Sequence, residues 1–405
     1  MRSSVHVRAD LRERLSTLAK EMAAWEGAPR VDEDEAIRIR DAIRAFAHTT
    51  ERPGLSIGGV DGSGDYPALT YGDSFVYVTV AHGTRYTYDR VSGLKEQPSD
   101  GSEVLEFSWI PEDELQRPQA IDAAFERMVG ASITSVIEAS DYRTLREHSA
   151  RRPSSVAELA AELIRPHASD IGNLAIQLRS TGELSAALRL IRSEPRLDYV
   201  LYDSTLSLPF VSRAKNSLFH EHLKRLCCVE ARARSIGFLA LSKSHGMPSI
   251  EEIERLALSA AGGDARVAEH WFLRLPTKAR DGWQLKLVEQ RNVPPQGAVS
   301  YLVRFHRNVP VMRLDVDESY WESYVRGDTD DATSTNERSL FEDLDYSCHD
   351  QRAYGYPYPV KAGHDRASLT QAERVALRKM IIDAAVSAGM RRTLFKSASA
   401  ATGHE

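Results

Sequence analysis

The chain of 405 residues has little cysteine, no long apolar run and no excess of positive charge. Its three cysteines, two of them adjacent at Cys227 and Cys228, provide neither a disulfide framework nor the spacing of zinc ligands. No apolar stretch approaches the roughly 18–20 residues that span a bilayer. The first residues lack the apolar segment of a signal peptide. These absences predict a cytoplasmic protein without a membrane partner.

The sequence also lacks the motifs of two large enzyme classes. It has no Gly-rich phosphate loop followed by Lys and Ser or Thr, the signature of P-loop ATPases, and no Gly-x-Ser-x-Gly nucleophile elbow. Its formal net charge of −6 argues against a surface coated with the Lys and Arg that contact phosphates. A local basic channel, or a partner that holds a nucleic acid, is compatible with this charge.

The composition, 42% hydrophobic and 27% charged, is that of a soluble globular protein with a large core. Apolar positions spaced three and four apart predict an amphipathic helix over residues 8–26, and a second helix with acids in its first turn is predicted over residues 32–48. Pro53 and Gly54 then break the pattern. The sequence therefore predicts a helical N-terminal extension, a main domain with an insertion, and a flexible basic tail. These parts are residues 1–52, residues 53–390 with the insertion at about residues 89–165, and residues 391–405.

Short runs rich in β-branched and aromatic residues predict strands. The predicted strands cover residues 55–61, 73–82, 84–89, 103–109, 198–203 and 237–242, with two or three more within residues 281–318, including Val299–Phe305 and Val311–Val316. Helices are predicted over about residues 118–192, 212–234, 249–261 and 370–388. The segments 89–101 and 325–338 are predicted as loops, the second of them mobile.

The order of these elements predicts the fold. Antiparallel strands come first and strands alternating with helices follow, which is typical of an α/β protein whose mixed sheet has parallel members. This order matches a ribonuclease H-like mixed sheet flanked by helices. In that arrangement the first strand ends on an acid, two hairpin strands follow, and the fourth strand carries another acid. Ligands in such sheets bind at strand ends.

Two aspartates come at the ends of predicted strands. Asp61 follows an apolar run and begins a Gly-rich turn, and Asp203 closes the run that starts at Asp198. Two such carboxylates point to a site for Mg²⁺ or Mn²⁺, since hard divalent cations take oxygen ligands. Each residue also has a purely structural interpretation. Asp61 can be the turn residue of a hairpin, and Asp203 can cap the following helix.

Glu183 and Lys243 are further candidates for the same site. Glu183 lies on a predicted helix and can supply a third carboxylate, or it can be an ordinary solvated acid. Glu162 or Asp170 can take its role instead. Lys243 follows a predicted strand, where a lysine beside acids can contact a phosphate as a point charge. Most lysines in such positions are merely solvated.

His364 follows the most unusual segment of the chain, Tyr-Pro-Tyr-Pro, which starts at Tyr356. Pro357 and Pro359 predict an extended chain there, which places His364 at a fixed point before the last helix. A neutral imidazole in this position can bind a metal or relay a proton. A single histidine can equally well have a structural role.

Taken in chain order, four short motifs resemble those of the NurA nuclease family. The motifs are Asp61-Gly-Ser, Tyr202-Asp-Ser-Thr-Leu, Ser242-Lys-Ser, and Tyr356-Pro-Tyr-Pro followed by Gly-His364. The resemblance covers about residues 53–385. The second motif departs from the family, which often has Asp-Gly-Ser-Leu, but it keeps the acid. The surroundings of Glu183 match least well.

The resemblance implies a ribonuclease H-like core and a metal-dependent nuclease that hydrolyses phosphodiester bonds in DNA, as an exonuclease and endonuclease. It implies Mn²⁺, or Mg²⁺, with two ions in each site. By the same resemblance, Asp61, Glu183, Asp203 and His364 are metal ligands, Lys243 contacts the phosphate, and all five are catalytic. The implied partners are DNA, a HerA-type hexameric ATPase that translocates DNA, and a second copy of the chain in a homodimer.

Two functions from different classes are open at this stage. The first is a nuclease that works with a HerA-type ATPase in DNA end resection for repair, or in antiphage defence. The second is a ribonuclease H-like scaffold whose catalytic activity has lapsed and which binds and regulates a ring ATPase. Retention of Asp61, Asp203, Lys243 and His364 favours the nuclease. A different phosphoryl-transfer enzyme that acts on RNA or on junctions is a third possibility.

Overall fold

The computed structural model describes residues 9–26, 31–113, 115–145, 155–164, 171–206, 219–243, 250–262, 269–285 and 297–397. The helices in these ranges are α1 (Ala9–Glu26), α2 (Glu33–Ala42), α3 (Gln116–Val129), α4 (Ile133–Ala139), α5 (Tyr142–Leu145), α6 (Val156–Ile164), α7 (Ile171–Arg192), α8 (Phe219–Ala233), α9 (Ile250–Ala260), α10 (Lys278–Asp281), α11 (Asp330–Cys348), α12 (Tyr358–Ala367) and α13 (Gln371–Ser387). The strands are β1 (Arg44–Ala45), β2 (Ser56–Tyr71), β3 (Ser74–Asp89), β4 (Gly93–Gln97), β5 (Glu103–Ile110), β6 (Tyr199–Tyr202), β7 (Gly237–Ser242), β8 (Trp271–Arg274), β9 (Ala298–Arg304), β10 (Met312–Asp317) and β11 (Phe395–Ser397). Short helical segments also occur at Glu318–Tyr320, Trp321–Val325 and Arg392–Leu394.

The strands of the described residues form one mixed sheet of eleven strands. Its order is β1-β8-β9-β10-β7-β6-β2-β3-β4, with β11 paired to β2 and β5 paired to β3. At the centre, β6 lies between β2 and β7 and runs parallel to both. The other described pairs are antiparallel. The prediction of an α/β protein with a mixed sheet and parallel members is confirmed.

Strand β2 does not end at Asp61, where the sequence predicts a turn. It runs from Ser56 to Tyr71 and forms a long hairpin with β3. The register with β3 is continuous from Ser56 to Asp65, so the glycines stay in the ladder instead of turning the chain. The parallel neighbour β6 pairs only with residues 57–60 of β2. Asp61 therefore lies just beyond the end of β6, although it is inside its own strand.

Both loop predictions are wrong. Within residues 89–101, β4 forms a ladder with β3. Within residues 325–338, helix α11 begins, and its N-cap residue Thr329 accepts a hydrogen bond from the N–H of Ala332. Acids in the first turn favour this helix start electrostatically. The polar composition of residues 325–338 predicts a loop. These residues are polar because the first turns of α11 are largely solvated, whereas Leu340 and Phe341, further along the helix, are buried.

Other elements differ from the prediction in extent. Residues 84–89 continue β3 instead of forming a separate strand. Helix α2 ends at Ala42, and the predicted helix over 212–234 is described from Phe219 onward. Four strands are not predicted as strands by the sequence: β1, β4, β8 and β11. Strand β11 pairs with β2, so the part of the predicted flexible tail at residues 395–397 is a strand.

Helices α7 and α12 cover opposite faces of the sheet centre. Both pack against β2 and β3. Val60 and Val200 belong to the core cluster of α7, whereas Ile57 and Leu201 belong to the cluster that contains Val360 of α12. Side chains alternate between the two faces of a strand, so the two clusters lie on opposite sides. Among the described helices, none is both long and apolar enough to cross a membrane.

Candidate active site

Asp61 is a buried carboxylate with partners from three directions. Its Oδ1 atom accepts a hydrogen bond of 2.7 Å from the N–H of Gly62. Its Oδ2 atom lies 2.8 Å from Nδ1 of His364 on α12. The guanidinium of Arg179 on α7 reaches within 3.4 Å of Oδ1. Asp61 is therefore the point where side chains from both helices meet on the central sheet.

Close contact between α12 and β2 brings His364 to Asp61. A Cβ atom at Gly363 would stand 3.1 Å from the backbone nitrogen of Asp61. A Cβ atom at Gly59 would stand 2.3 Å from the carbonyl carbon of Pro359. The hydroxyl of Thr84 on β3 donates a 2.7 Å hydrogen bond to the Pro359 carbonyl. Glycine at position 59 is thus a condition for the contact between His364 and Asp61, and glycine at position 363 makes the close approach easier.

The segment before His364 is helical from Tyr358, and not extended as the sequence predicts. Pro357 is the N-cap residue and Pro359 lies in the first turn of α12. Proline is tolerated there because the first N–H groups of a helix have no partner within it. The helix carries His364 in its last turns with 54% of the side chain exposed to solvent. This exposure leaves the ring accessible to a ligand.

Glu183 lies beside Asp61 because position 62 has no side chain. A Cβ atom at Gly62 would stand 2.5 Å from Cγ of Glu183 and 2.9 Å from its Oε1. Arg179, one helical turn earlier, is 2.8 Å from Oε1 of Glu183 through its Nε. The same guanidinium faces Asp61, so it lies between the two carboxylates. The side chain of Arg179 is half-exposed, whereas both acids are buried.

Burial raises the pKa of Glu183 to about 7. The positive charge of Arg179 lowers this pKa, and the negative charges of Asp61 and Asp203 raise it. Two neighbouring carboxylates that disfavour the ionised form of a third show that negative charge is concentrated here. A cation that enters the site would relieve this repulsion.

Asp203 and Lys243 follow the parallel strands β6 and β7, which pair from Tyr199 to Tyr202. Parallel neighbours end at the same edge of a sheet, so the two residues lie near each other. Burial and the charge of Asp61 raise the pKa of Asp203, while Lys243 and the neighbouring hydroxyl of Tyr356 lower it. The Lys243 ammonium lies 3.5 Å from the centroid of the Tyr356 ring, a cation–π contact.

The structure thus gathers all the predicted site residues around Asp61. They are Asp61, Glu183, Asp203, Lys243 and His364. Asp61 is not a hairpin turn residue, and the residues directly after Asp203 are not helical, so it is not the cap of an adjoining helix. Of the alternatives to Glu183, Asp170 and the side chain of Glu162 lie outside the described residues.

Sequence reasoning missed three residues of the site. Gly62 sets the distance between Asp61 and Glu183, and Arg179 pairs with both acids. The ring of Tyr356 makes a cation–π contact with the ammonium of Lys243. The spacing of four between Arg179 and Glu183 was a usable signal, because residues four apart lie on the same face of a helix.

The donor set fits a hard divalent cation. Asp61, Glu183 and Asp203 offer carboxylate oxygens, and the half-exposed His364 offers an imidazole, which are ligands that Mn²⁺ accepts in proteins. The position between Asp61 and Glu183 is already taken by one cationic group, the guanidinium of Arg179. The residues present therefore suit a bound cation at this place.

Comparisons with known proteins give one kind of result. No protein-family model and no curated protein matches the chain. Among solved structures, the chain is similar to the NurA nuclease from Sulfolobus solfataricus, with 12% sequence identity, a TM-score of 0.46 and coverage of 95% of this chain and 99% of that chain. It is also similar to NurA bound to dAMP and manganese, with 13% identity, a TM-score of 0.37 and coverage of 94% and 98%. Likenesses this distant assign neither a family nor an activity to the chain.

Proposed function

We propose that the chain is a metal-dependent deoxyribonuclease that hydrolyses phosphodiester bonds at the site around Asp61. The observation that carries the proposal is the buried Asp61 carboxylate, shared by His364 and Arg179 and set beside Glu183 and Asp203. Carboxylates are expensive to bury next to each other unless a cation compensates them. A nuclease site uses such a cluster to hold metal ions against a phosphate.

The strand order supports a ribonuclease H-like core. In the described residues, β2 is the first long strand, β3 and β5 follow it in antiparallel pairing, and β6 and β7 then add parallel strands on the other side of β2. Asp61 on the first strand and Asp203 after the fourth strand of this series are then neighbours. This is the arrangement that the sequence order predicts for two metal-binding carboxylates.

In this proposal Asp61, Glu183, Asp203 and His364 hold Mn²⁺ or Mg²⁺, with two ions in the complete site. When bound, such ions activate water and stabilise the charge on the phosphate and on the leaving oxygen. The exposed Lys243 contacts the scissile phosphate as a point charge. Arg179, which pairs with the acids here, is half-exposed, so its guanidinium would be available to a phosphate if a cation took its place.

The proposed partners are a HerA-type hexameric ATPase and a second copy of the chain. An acidic chain, with a net charge of −6, gains most from a partner that supplies the grip on DNA. A homodimer is supported by strand β5, which exposes the large apolar side chains of Leu105, Phe107 and Trp109. Such a stripe is typical of an interface. The proposed role is DNA end processing in repair or in antiphage defence.

The alternative function is a scaffold whose catalytic activity has lapsed. One observation favours it, because the guanidinium of Arg179 lies beside both Asp61 and Glu183 and offsets part of their negative charge. In that case the acids and the guanidinium form a permanent ion-pair network, and the chain only binds and regulates a ring ATPase. The two functions differ in whether the site takes up Mn²⁺.

Two measurements on the purified chain separate these functions. Calorimetric titration with Mn²⁺ in the presence of DNA reports metal binding, and digestion of linear DNA with Mn²⁺ or with EDTA reports activity. If the chain is a nuclease, it should take up Mn²⁺ and digest DNA, and EDTA should abolish the digestion. The digestion is measured with and without the ATPase partner, which should stimulate it. No Mn²⁺ uptake with DNA present would contradict the nuclease and support the scaffold.

A further inference from the structure

A second cluster of metal-ligating side chains lies apart from the site around Asp61. His48, Asp345 and His349 each offer one ligand atom, and these atoms all lie within 4.8 Å of one another. A fourth residue, His270, points its Nδ1 atom to within 3.3 Å of the same carboxylate. Within the described residues, no hydrogen bond or ion pair joins these side chains to Asp61 or to its partners.

The cluster is assembled from three separate parts of the chain. His48 follows β1, His270 directly precedes β8, and Asp345 and His349 are one turn apart at the end of α11. Strands β1 and β8 pair with each other, which holds His48 and His270 near each other. Residues four apart lie on one face of a helix, so Asp345 and His349 point the same way.

The distances around Asp345 are those of hydrogen bonds, somewhat shorter than the spacing of ligands around an ion. Its Oδ2 is 2.7 Å from Nδ1 of His48, and its Oδ1 is 2.9 Å from Nε2 of His349. Four ligands at about 2.0–2.1 Å from a tetrahedral ion stand roughly 3.3 Å from each other. The rings would have to move apart by about half an ångström to admit an ion between them.

One imidazole nitrogen of the cluster is buried without a well-formed hydrogen bond. Nδ1 of His270 lies 3.3 Å from Oδ1 of Asp345, and the hydrogen bond between them is poorly formed. Buried polar atoms are nearly always well satisfied. An ion bound among the rings would give this nitrogen a stronger partner, because its lone pair would then be a ligand.

The cluster is also accessible from solvent. A cavity of about 660 Å³ opens beside it and is lined by both His48 and His349. The side chain of His48 is 38% exposed, whereas the carboxylate of Asp345 is fully buried. An ion can thus reach the rings from this cavity and meet the buried charge of Asp345 at its inner end.

We propose that His48, His270, Asp345 and His349 form a second metal site that binds one nitrogen-preferring divalent ion of the Zn²⁺ class. Imidazole suits Zn²⁺ and its neighbours, whereas Mg²⁺ and Ca²⁺ prefer all-oxygen ligands. The two sites of the chain therefore differ in metal preference. An ion at this site links the segment after β1 to the end of α11 and to the start of β8, so its role is structural.

The competing explanation is a hydrogen-bond network without metal, in which the imidazoles serve only to satisfy Asp345. The variants His48→Gln and His349→Gln separate the two explanations. A glutamine amide still donates a hydrogen bond to the carboxylate, but it is a poor zinc ligand. His306→Gln is the matched control, since its ring centroid is 6.4 Å from that of His349 and it contacts none of the Asp345 oxygens by a described hydrogen bond.

The test uses the full chain after removal of bound metal with a chelator. Zn²⁺ binding is measured by calorimetry, and Co²⁺ is added separately to look for the visible absorption of a tetrahedral site. We expect one Zn²⁺ site that is retained in His306→Gln and in Asp61→Asn, and at least a tenfold loss of Zn²⁺ affinity in His48→Gln and in His349→Gln. Retention in Asp61→Asn separates this site from the proposed nuclease site.

Thermal unfolding provides a second measurement of Zn²⁺ binding, and it also shows whether each variant is folded. Zn²⁺ raises the melting temperature of a chain that binds it in the folded state, and this rise should disappear in His48→Gln while it persists in His306→Gln. The proposal is overturned if the unmodified chain takes up no Zn²⁺, or if both glutamine variants bind Zn²⁺ as tightly as the unmodified chain. Either result would assign the cluster to the hydrogen-bond network.

Discussion

The side chain of Glu183 occupies the space that a side chain at Gly62 would need. A Cβ atom built on Gly62 would stand 2.5 Å from Cγ of Glu183. This relationship joins helix α7 to strand β2 at the position next to Asp61. The carboxylate of Glu183 therefore fits beside Asp61 because Gly62 has no side chain. A glycine in the strand ladder is here a condition for the site and not a turn signal.

Gly62→Ala should therefore destabilise the chain through a clash with Glu183. The added methyl group overpacks the contact, with a cost of about 1–3 kcal/mol in the free energy of unfolding. The double variant Gly62→Ala/Glu183→Ala should recover part of this loss, because the opposing Cγ is gone. Urea unfolding of the two single variants and the double variant measures the coupling. Strict additivity would show that the two side chains do not compete for space.

The raised pKa of Glu183 makes the metal-free chain less stable at higher pH. The folded chain holds this proton up to about pH 7, whereas the unfolded chain releases it near the ordinary value of 4.5. Stability is therefore highest below pH 4.5 as far as this group is concerned, and it is lost as the pH rises toward 7. The effect is on the order of 3 kcal/mol.

The variant Glu183→Gln isolates this effect, because the amide does not titrate. Urea unfolding in EDTA at pH 5, 6, 7 and 8 should show the stability of the unmodified chain falling relative to that of Glu183→Gln over this range. The difference should level off above pH 7. A difference that stays constant from pH 5 to pH 8 would mean that Glu183 has an ordinary pKa.

Arg179→Met should make the site depend on metal. Without the guanidinium, Asp61 and Glu183 face each other with no compensating charge, so the melting temperature in EDTA should fall. Mn²⁺ should restore it, and the stabilisation by Mn²⁺ should exceed that of the unmodified chain. The control is Arg378→Met, which removes the ion-pair partner of Asp65, an acid on β2 like Asp61. This control should show no such gain. An equal response of both variants to Mn²⁺ would contradict the position assigned to Arg179.

His364→Ala should weaken metal binding without unfolding the chain, since half of the ring is exposed. We expect a 10- to 100-fold higher Mn²⁺ concentration for half-maximal DNA cleavage, which is the usual cost of losing a partner at a metal site. His82→Ala is the control, because its ring lies on β3 and bonds to the Gly83 carbonyl instead of Asp61. An unchanged Mn²⁺ requirement in His364→Ala would remove His364 from the ligand set.

A homodimer through β5 predicts that a charge in its apolar stripe produces monomers. Phe107→Asp places a carboxylate between Leu105 and Trp109, and burying it in an interface is costly. Light scattering coupled to gel filtration should show half the mass of the unmodified chain. Val91→Asp, at an exposed position outside β5, is the control. A monomeric unmodified chain would contradict the dimer itself.

Much of the sheet was predictable because its strands have clear local patterns. The run ending at Tyr202 and the run 237–242 are apolar and short, and both are strands. The extent of β2 was not predictable in the same way. Its glycines signal a turn locally, but the neighbouring β3 holds them in the ladder. A tertiary contact thus outweighs a local preference. The first turn of α11 differs, because Thr329 and the acids that follow it are local signals of a helix start.

The site was predictable to the extent that its residues are acids at strand ends. Asp61 and Asp203 are predicted in this way, although Asp61 lies inside β2 and only Asp203 follows the end of its strand. His364 is predicted through an unusual proline segment. Arg179 and Gly62 were not found, because their importance lies in distances between elements far apart in sequence. The histidine cluster at Asp345 escaped for the same reason, since its ligands are up to 301 residues apart, from His48 to His349.

The rate of DNA cleavage by Asp61→Asn tests the central claim most directly. Asparagine keeps the shape of the side chain but removes the charge that would hold the metal. With Mn²⁺ and linear DNA, the account predicts a loss of at least about a hundredfold in initial rate, whereas Asp73→Asn in the exposed β2–β3 turn should cleave at the rate of the unmodified chain. Equal cleavage by Asp61→Asn and Asp73→Asn would contradict the assignment of this site.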